Sequence, residues 1–176
     1  SGWKILPCHG IVGGRCTCGD THAEPKDKGK HPSISDWNKQ ASSDEGVVSI
    51  WWERETEGNI AVNCHASGFL VIDIDPRSDA INSFEKLDEL LGGELPPTVE
   101  ALTGEYTGKN GKKLRGRHLF YKCDPREQLV GNLKKSGLPG IDIKHNGYVL
   151  ISPSRHFSGV CYEWKEGHAP WEIEMA

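Results

Sequence analysis

The stretch that most constrains this chain is Phe69-Leu70-Val71-Ile72-Asp73-Ile74-Asp75-Pro76. Its apolar run, rich in β-branched and aromatic residues, reads as a buried strand, and Pro76 stops it. Successive strand side chains point to opposite faces, so Asp73 and Asp75 project together while Ile72 and Ile74 enter a core. Folding alone gives no reason to set two like charges side by side there. Their repulsion and desolvation are costly unless a cation compensates them. A divalent ion does so, and Mg²⁺ or Mn²⁺ prefers such oxygen ligands. The pair by itself also fits a solvated strand end opening an Asp75-Pro76 turn, because D-x-D is a short motif.

Around this strand the pattern mixes helix and strand. Asp44 is a fair N-cap for a helix carrying Val47, Val48, Ile50, Trp51 and Trp52, which Gly58 would end. Asn59-Ile60-Ala61-Val62 reads as a short strand. After Pro76, Ser78 caps a second helix, with Ile81, Phe84, Leu87, Leu90 and Leu91 on one face and Gly92-Gly93 behind it. Residues 98–103 and 117–123 read as strands joined by a Gly/Lys-rich loop. Gly140-Ile141-Asp142-Ile143-Lys144 and Tyr148-Val149-Leu150-Ile151 flank Asn146-Gly147, the strongest short-range hairpin signal in the chain. The sum is an α+β fold with a mainly antiparallel, mixed sheet.

The 176 residues fit one domain. No apolar run approaches the about 18 residues of a membrane span, and no basic-apolar leader opens the sequence. Of the six cysteines, only Cys16 and Cys18 cluster, which favours a reducing, cytoplasmic compartment over a disulfide framework. The net charge of −4 argues against a non-specific nucleic-acid coat protein. An enzyme gripping nucleic acid locally remains, and Lys109, Lys112, Lys113, Arg115 and Arg117 form a compact basic run.

Asp142, between Ile141 and Ile143 on a second strand, adds a third carboxylate, with Lys144 on its face; a plain salt bridge is the bland reading of that pair. Three strand carboxylates suit a two-metal site for in-line phosphoryl transfer. His118 opens a strand in Arg117-His118-Leu119-Phe120-Tyr121 and would donate to an incoming phosphate, although a lone His is more often structural. Lys30, Lys144, Ser154 and His156 are further candidate phosphate contacts. Ser154 and His156 lie on a loop directly after a strand, which also fits an ordinary polar loop.

Residues 8–35 lack apolar periodicity, and so long an irregular stretch needs a metal or substrate to order it. Cys16-x-Cys18-x-x-x-His22 brings soft ligands close together, with His9 before and His31 after. Four of these five would hold structural zinc, though the spacing is not that of a standard zinc finger. An unliganded loop with free thiols is the alternative.

In order along the chain, Trp3-Lys4-Ile5-Leu6-Pro7, Gly29-Lys30-His31-Pro32, Trp37, Asp44, Trp51-Trp52 and Asn59-Ile60-Ala61-Val62 are followed by Ile72-Asp73-Ile74-Asp75, Gly116-Arg117-His118-Leu119-Phe120-Tyr121, Gly140-Ile141-Asp142-Ile143-Lys144, Ser152-Pro153-Ser154-Arg155-His156 and Tyr162-Glu163-Trp164. This series resembles the bifunctional DNA primase/polymerase N-terminal (prim-pol) domain of phage and plasmid replication proteins, in the archaeo-eukaryotic primase superfamily. The resemblance implies a primase-type catalytic core, with an RRM-like sheet packed on a smaller α/β part, the core spanning residues 59–164 and a zinc-binding loop spanning 8–35. It implies DNA primase and polymerase activity on a single-stranded DNA template and primer strand with NTP or dNTP. Asp73, Asp75 and Asp142 would hold Mg²⁺ or Mn²⁺, with His118 on the incoming phosphates. Lys30, Asn59, Arg117, Lys144, Ser154 and His156 would line the nucleotide. A helicase domain or protein is an expected partner, and a bacterial or archaeal host cell the expected setting. Three positions depart from the pattern: Gly116 where Ser is common, a long turn over residues 104–115, and His22 where a cysteine is expected.

Rival readings use the same residues. A metal-dependent nuclease would activate water with these carboxylates and needs no triphosphate contacts. A non-catalytic nucleotide- or DNA-binding module would tolerate Asp73→Ala and Asp75→Ala. A D-x-D glycosyltransferase would show repeated β-α units, which this pattern lacks.

Overall fold

The structure is a computed structural model. It describes residues 2–77, 80–108, 111–124, 126–127 and 133–176, with the side chains of Ile81 and Lys135 left out. Ser78, the expected helix cap, and Lys109 of the basic run lie outside the described residues. In chain order the strands and helices are β1 (Ile5–Cys8), β2 (Ile11–Val12), β3 (Arg15–Cys16), α1 (Trp37–Gln40), α2 (Glu45–Arg54), β4 (Asn59–Asn63), β5 (Phe69–Ile74), α3 (Ala80–Leu91), β6 (Val99–Thr107), β7 (Lys113–Lys122), β8 (Ile141–Lys144), β9 (Tyr148–Leu150) and β10 (Glu163–Trp164).

These strands form a five-stranded sheet in the order β10-β6-β7-β5-β8, a three-stranded sheet in the order β1-β4-β9, and a β2-β3 ribbon. Every pairing is antiparallel. The fold is therefore mixed α and β, with antiparallel sheets and few helices.

Strand alternation explains the layering. One face of β5 presents Phe69 and Val71, which join Val99, Ala101 and Phe120 against Val62, Cys64, Val149 and Ile151 from and beside the small sheet. The other face presents Ile72 and Ile74, which meet Leu119, Tyr121, Ile141 and, on α3, Ala80 and Phe84. Burying each large apolar side chain contributes about 1.5–3 kcal/mol, so packing on both faces holds β5 between the layers. A third cluster, Leu6, Cys8, Ala61, Leu150 and Tyr162, covers the far side of the small sheet.

The helix expectations hold in outline. The Asp44 side chain accepts from Val47 N–H at 3.0 Å, capping α2 at the expected place. α3 ends at Gly92, whose φ of 81° lets its N–H and that of Gly93 reach back to Glu89 and Asp88 carbonyls. Leu90 and Leu91, expected on the buried face, are exposed, so the apolar stripe of α3 buries only its first part.

Two loop expectations are corrected. Asn146-Gly147 does not close a hairpin: β8 pairs with β5, whereas β9 pairs with β4 in the other sheet. Neither residue has the positive φ that a tight hairpin turn requires. His145 anchors the crossing instead, buried and within 3.2 Å of the Phe69 carbonyl. Second, most of residues 104–115 is strand, because β6 and β7 extend into a long arm past a register shift between Leu102 and Glu105. Two glycines make that shift possible. A Cβ at Gly104 would stand 2.0 Å from His156 Nδ1, and one at Gly116 would stand 2.4 Å from Thr103 Oγ1. The departure at Gly116 thus has a steric cause.

Candidate active site

Asp73 lies opposite His118 of β7 and also opposite Asp142 of β8, giving one row across three strands. Directly opposed residues have Cβ atoms about 4.5–5.5 Å apart, and opposed like charges destabilise a sheet. His118 Nε2 is 3.5 Å from Asp73 Oδ1. Lys144 Nζ is 2.9 Å from Asp142 Oδ2 and 3.9 Å from Asp73 Oδ2. Just past the strand, Asp75 accepts from Arg77 Nε at 2.9 and 3.1 Å and from its Nη2 at 2.5 Å.

Burial pushes the Asp73 carboxyl up, but the His118 hydrogen bond and the charges of His118, Lys144 and Lys30 outweigh it and hold it below the usual carboxylate range. Burial acts likewise on Asp75, where the hydrogen bonds from Arg77 prevail and lower it. Both groups are ionised near neutral pH and available to a cation.

Asp73, Asp75, Lys30, Arg77, Thr103, Tyr106, His118 and Tyr162 line a pocket of about 50 Å³. That is room for water but not for a triphosphate. Arg77 closes it, clamped on Asp75 and stacked 4.7 Å above the Tyr106 ring. Beneath, His118 Nδ1 is buried without a hydrogen-bond partner among the described residues. A larger cavity of about 640 Å³ lies elsewhere, between Trp3, Val48, Trp164 and Trp171, and brings none of these groups together.

The other expected nucleotide contacts divide. Lys30 and Lys144 reach the carboxylates or their pocket. Arg117 does not: alternation turns it to the α3 face, where its Nε is 2.5 Å from Glu100 Oε1. The Asn59 side chain is engaged with the Gly29 and Arg155 backbones, and the Ser154 hydroxyl with both backbone groups of Ile60. They clamp loops to β4. His156 is buried beside the site, 3.3 Å from the Tyr106 hydroxyl, and burial followed by the charges of Lys30 and Arg77 pushes its ring down to about 3. It is neutral at physiological pH.

In the irregular N-terminal segment, ligand atoms of Cys16, Cys18, His22 and His31 all lie within 4.8 Å of one another. Cys18 Sγ is 3.2 Å from His22 Nε2, and Cys16 Sγ is 3.9 Å from His31 Nε2. Ordinary zinc bond lengths give tetrahedral edges of about 3.3–3.8 Å, so the set fits zinc after a small contraction. His9 stands outside this group, its Nδ1 3.3 Å from Glu55 Oε1.

The profile of the bifunctional DNA primase/polymerase N-terminal domain, Prim-Pol, matches residues 1–175. The chain belongs to this family. No curated protein and no solved structure matches it. Membership carries primase/polymerase-type nucleotidyl transfer, with DNA and nucleotides as substrates in general. Arg77, Tyr106 and Tyr162 also line the pocket of this Prim-Pol domain, and the sequence pattern gives none of them a site role. Arg77 carries a signal, a cation directly after the Asp75-Pro76 turn. Tyr106 carries none, because the Gly/Lys-rich composition of its stretch reads as loop.

Proposed function

We propose that this Prim-Pol domain extends and initiates DNA strands by a two-metal carboxylate mechanism, taking NTP or dNTP on a single-stranded template. The observation that carries the reading is the His118–Asp73–Asp142 row, of which Asp73 and His118 line the pocket, with a buried His118 nitrogen that lacks a partner among the described residues. An unpaired buried donor costs about 1–3 kcal/mol, and a phosphate oxygen would remove that cost. The donor set fits Mg²⁺ or Mn²⁺, being all oxygen, with Asp73 and Asp75 held ionised by surrounding cations. When bound by Asp73, Asp75 and Asp142, these ions would supply the charge that activates the attacking 3′-hydroxyl and neutralises the departing pyrophosphate.

The chain's own groups do the rest. His118 donates from Nδ1 to the incoming phosphate, and Lys30 adds positive charge from the opposite wall. Lys144 balances Asp142 and Asp73 until the substrate arrives. Arg77 must leave Asp75 to admit a nucleotide, and its exposure permits that movement. The five-stranded sheet with α3 serves as the RRM-like core, within residues 59–164. Residues 8–35 form a structural zinc loop on Cys16, Cys18, His22 and His31. The domain works in the cytoplasm of a bacterial or archaeal cell, for a phage or plasmid replicon, beside a helicase.

The test supplies single-stranded template, labelled nucleotides and Mg²⁺ or Mn²⁺, with and without primer, against an Asp73→Ala/Asp75→Ala control. Primer-independent product that the control lacks establishes priming, and primer-dependent product establishes extension. Degradation of the template without nucleotides would instead favour a nuclease. No product would sink the proposal.

A further inference from the structure

Gly29-Lys30-His31 connects the Cys/His cluster to the carboxylate pocket. His31 faces Cys16, whose Sγ also accepts from the Gly29 N–H at 3.4 Å. Lys30, the next residue, lines the pocket with Asp73, Asp75 and His118. The backbone between them is held on the body of the protein: Gly29 O accepts from Asn59 Nδ2 at 2.9 Å, and Lys30 O accepts from the Tyr148 hydroxyl at 2.9 Å. Gly29 is required there, because its φ is 69° and a Cβ would stand 2.7 Å from the Ile11 side chain. One short segment therefore carries a cluster ligand at one end and a pocket cation in its middle.

We infer that the Cys/His cluster is a positioning device for the nucleotide site: zinc on Cys16, Cys18, His22 and His31 sets the place of Lys30 in the pocket. The inference rests on the zinc and nucleotide readings proposed above. Segment 10–31 has only the β2-β3 ribbon and one 3₁₀ turn, at Pro25–Asp27, as regular structure of its own. Four bonds to one ion would join its two ends, since Cys16, Cys18 and His22 precede the turn and His31 follows it. Without the ion, the segment keeps its backbone anchors, including His9 N–H to His31 O at 3.0 Å, but loses the bonds that would fix the Cys16, Cys18, His22 and His31 side chains to one another, and the lysine holds its place against the phosphates less firmly. A positioned ammonium makes charge-assisted contacts that a mobile one makes only part of the time. The carboxylates, set by the sheet register, are untouched.

The test measures affinity for a fluorescent deoxynucleoside triphosphate with Mg²⁺ and without DNA, alongside zinc content by metal analysis and folding by circular dichroism. Stripping zinc from the wild-type domain, or Cys18→Ser, is expected to weaken binding on the order of tenfold, and Lys30→Ala by a similar factor. Cys18→Ser/Lys30→Ala binds no worse than Lys30→Ala alone, because the ion acts through the lysine. Refilling stripped protein restores affinity, and His22→Cys keeps both zinc and affinity. If Cys18→Ser does not fold, the strip-and-refill arm carries the comparison. Unchanged affinity after zinc loss overturns the inference, as do additive losses in the double variant. A zinc effect on DNA affinity alone would reassign the loop to template holding and also overturn it. A domain that neither carries nor takes up zinc sinks the zinc reading, and a zinc-loaded domain that binds no triphosphate sinks the nucleotide reading. Either result removes the inference by a separate measurement.

Discussion

On one face of β7, Arg117 meets Glu100; on the other, its neighbour His118 meets Asp73. Glu100 is almost fully enclosed, its side chain 4% exposed, and accepts from Arg117 Nε at 2.5 Å and Lys165 Nζ at 2.8 Å. Burial pushes its carboxyl up, but these two cations more than offset that and lower it. Asp73 is 27% exposed and has looser partners, at 3.5 Å from His118 and 3.9 Å from Lys144. Its row also holds a second carboxylate, Asp142, and an unpartnered nitrogen. The difference marks Glu100 as an internally satisfied ion pair and leaves the Asp73 row as the candidate site. A cluster whose hydrogen-bonding capacity is met internally has no need of a ligand, whereas one with displaceable partners and an orphaned donor does.

The largest effects should come from exchanging acids for amides on the two faces. Asp73→Asn and Asp142→Asn should each lower nucleotidyl transfer on the order of 10³-fold or more in a primer-extension assay, with the fold kept and urea stability lowered only slightly for Asp73→Asn, whose ionised carboxyl the neighbouring cations favour. Glu100→Gln should do the reverse, costing about 1–3 kcal/mol because the buried amide no longer balances two partly exposed cations, while the folded fraction keeps its activity. A stable Glu100→Gln or an unfolded Asp73→Asn would break the comparison.

His118→Ala comes next. Losing one charge-assisted phosphate contact should raise the nucleotide KM about 10- to 100-fold with a smaller change in kcat. Equal changes in kcat and kcat/KM would instead place His118 at the transition state.

A pH titration sharpens the contrast further. His156 has its pKa lowered to about 3, below the value near 6.5 of an unfolded histidine. Between those values the unfolded chain binds the extra proton, so stability falls as pH drops from about 6.5, by up to about 1.4 kcal/mol per pH unit. Asp73, Asp75 and Glu100, all lowered, lose their stabilising contribution only below the ordinary carboxylate range. Urea melts of His156→Gln against wild type between pH 6.5 and 4.5 isolate the first group; superimposable profiles would refute the assignment.

Ser154→Ala should have the smallest effect. Its hydroxyl serves the Ile60 N–H and carbonyl, so the change should cost about 1 kcal/mol in a thermal melt and leave nucleotide KM alone. A KM effect would return Ser154 to the nucleotide site.

The period of two along Phe69–Ile74 was enough to pair Asp73 with Asp75 and to face Ile72 and Ile74 into a core. That parity also separates Arg117 from His118, and reading both as nucleotide ligands ignored it. Ligand density alone marked Cys16, Cys18 and His22, because residues close in sequence stay close in space. It could not choose between His9 and His31, which the chain brings back together only after folding.

By itself, then, the sequence determined the carboxylate strand, the helix capped by Asp44, the Cys/His-rich loop and, through their order, the family. Only the tertiary structure decided that Asp73 stands opposite both His118 and Asp142, that Asn146-Gly147 crosses between sheets, and that Lys30 lines the carboxylate pocket while its neighbour His31 joins the Cys/His group. The physical reason is range. Side-chain periodicity and capping act over a few residues and are written locally. Strand neighbours are chosen by which apolar faces can be buried together, and that depends on every element at once.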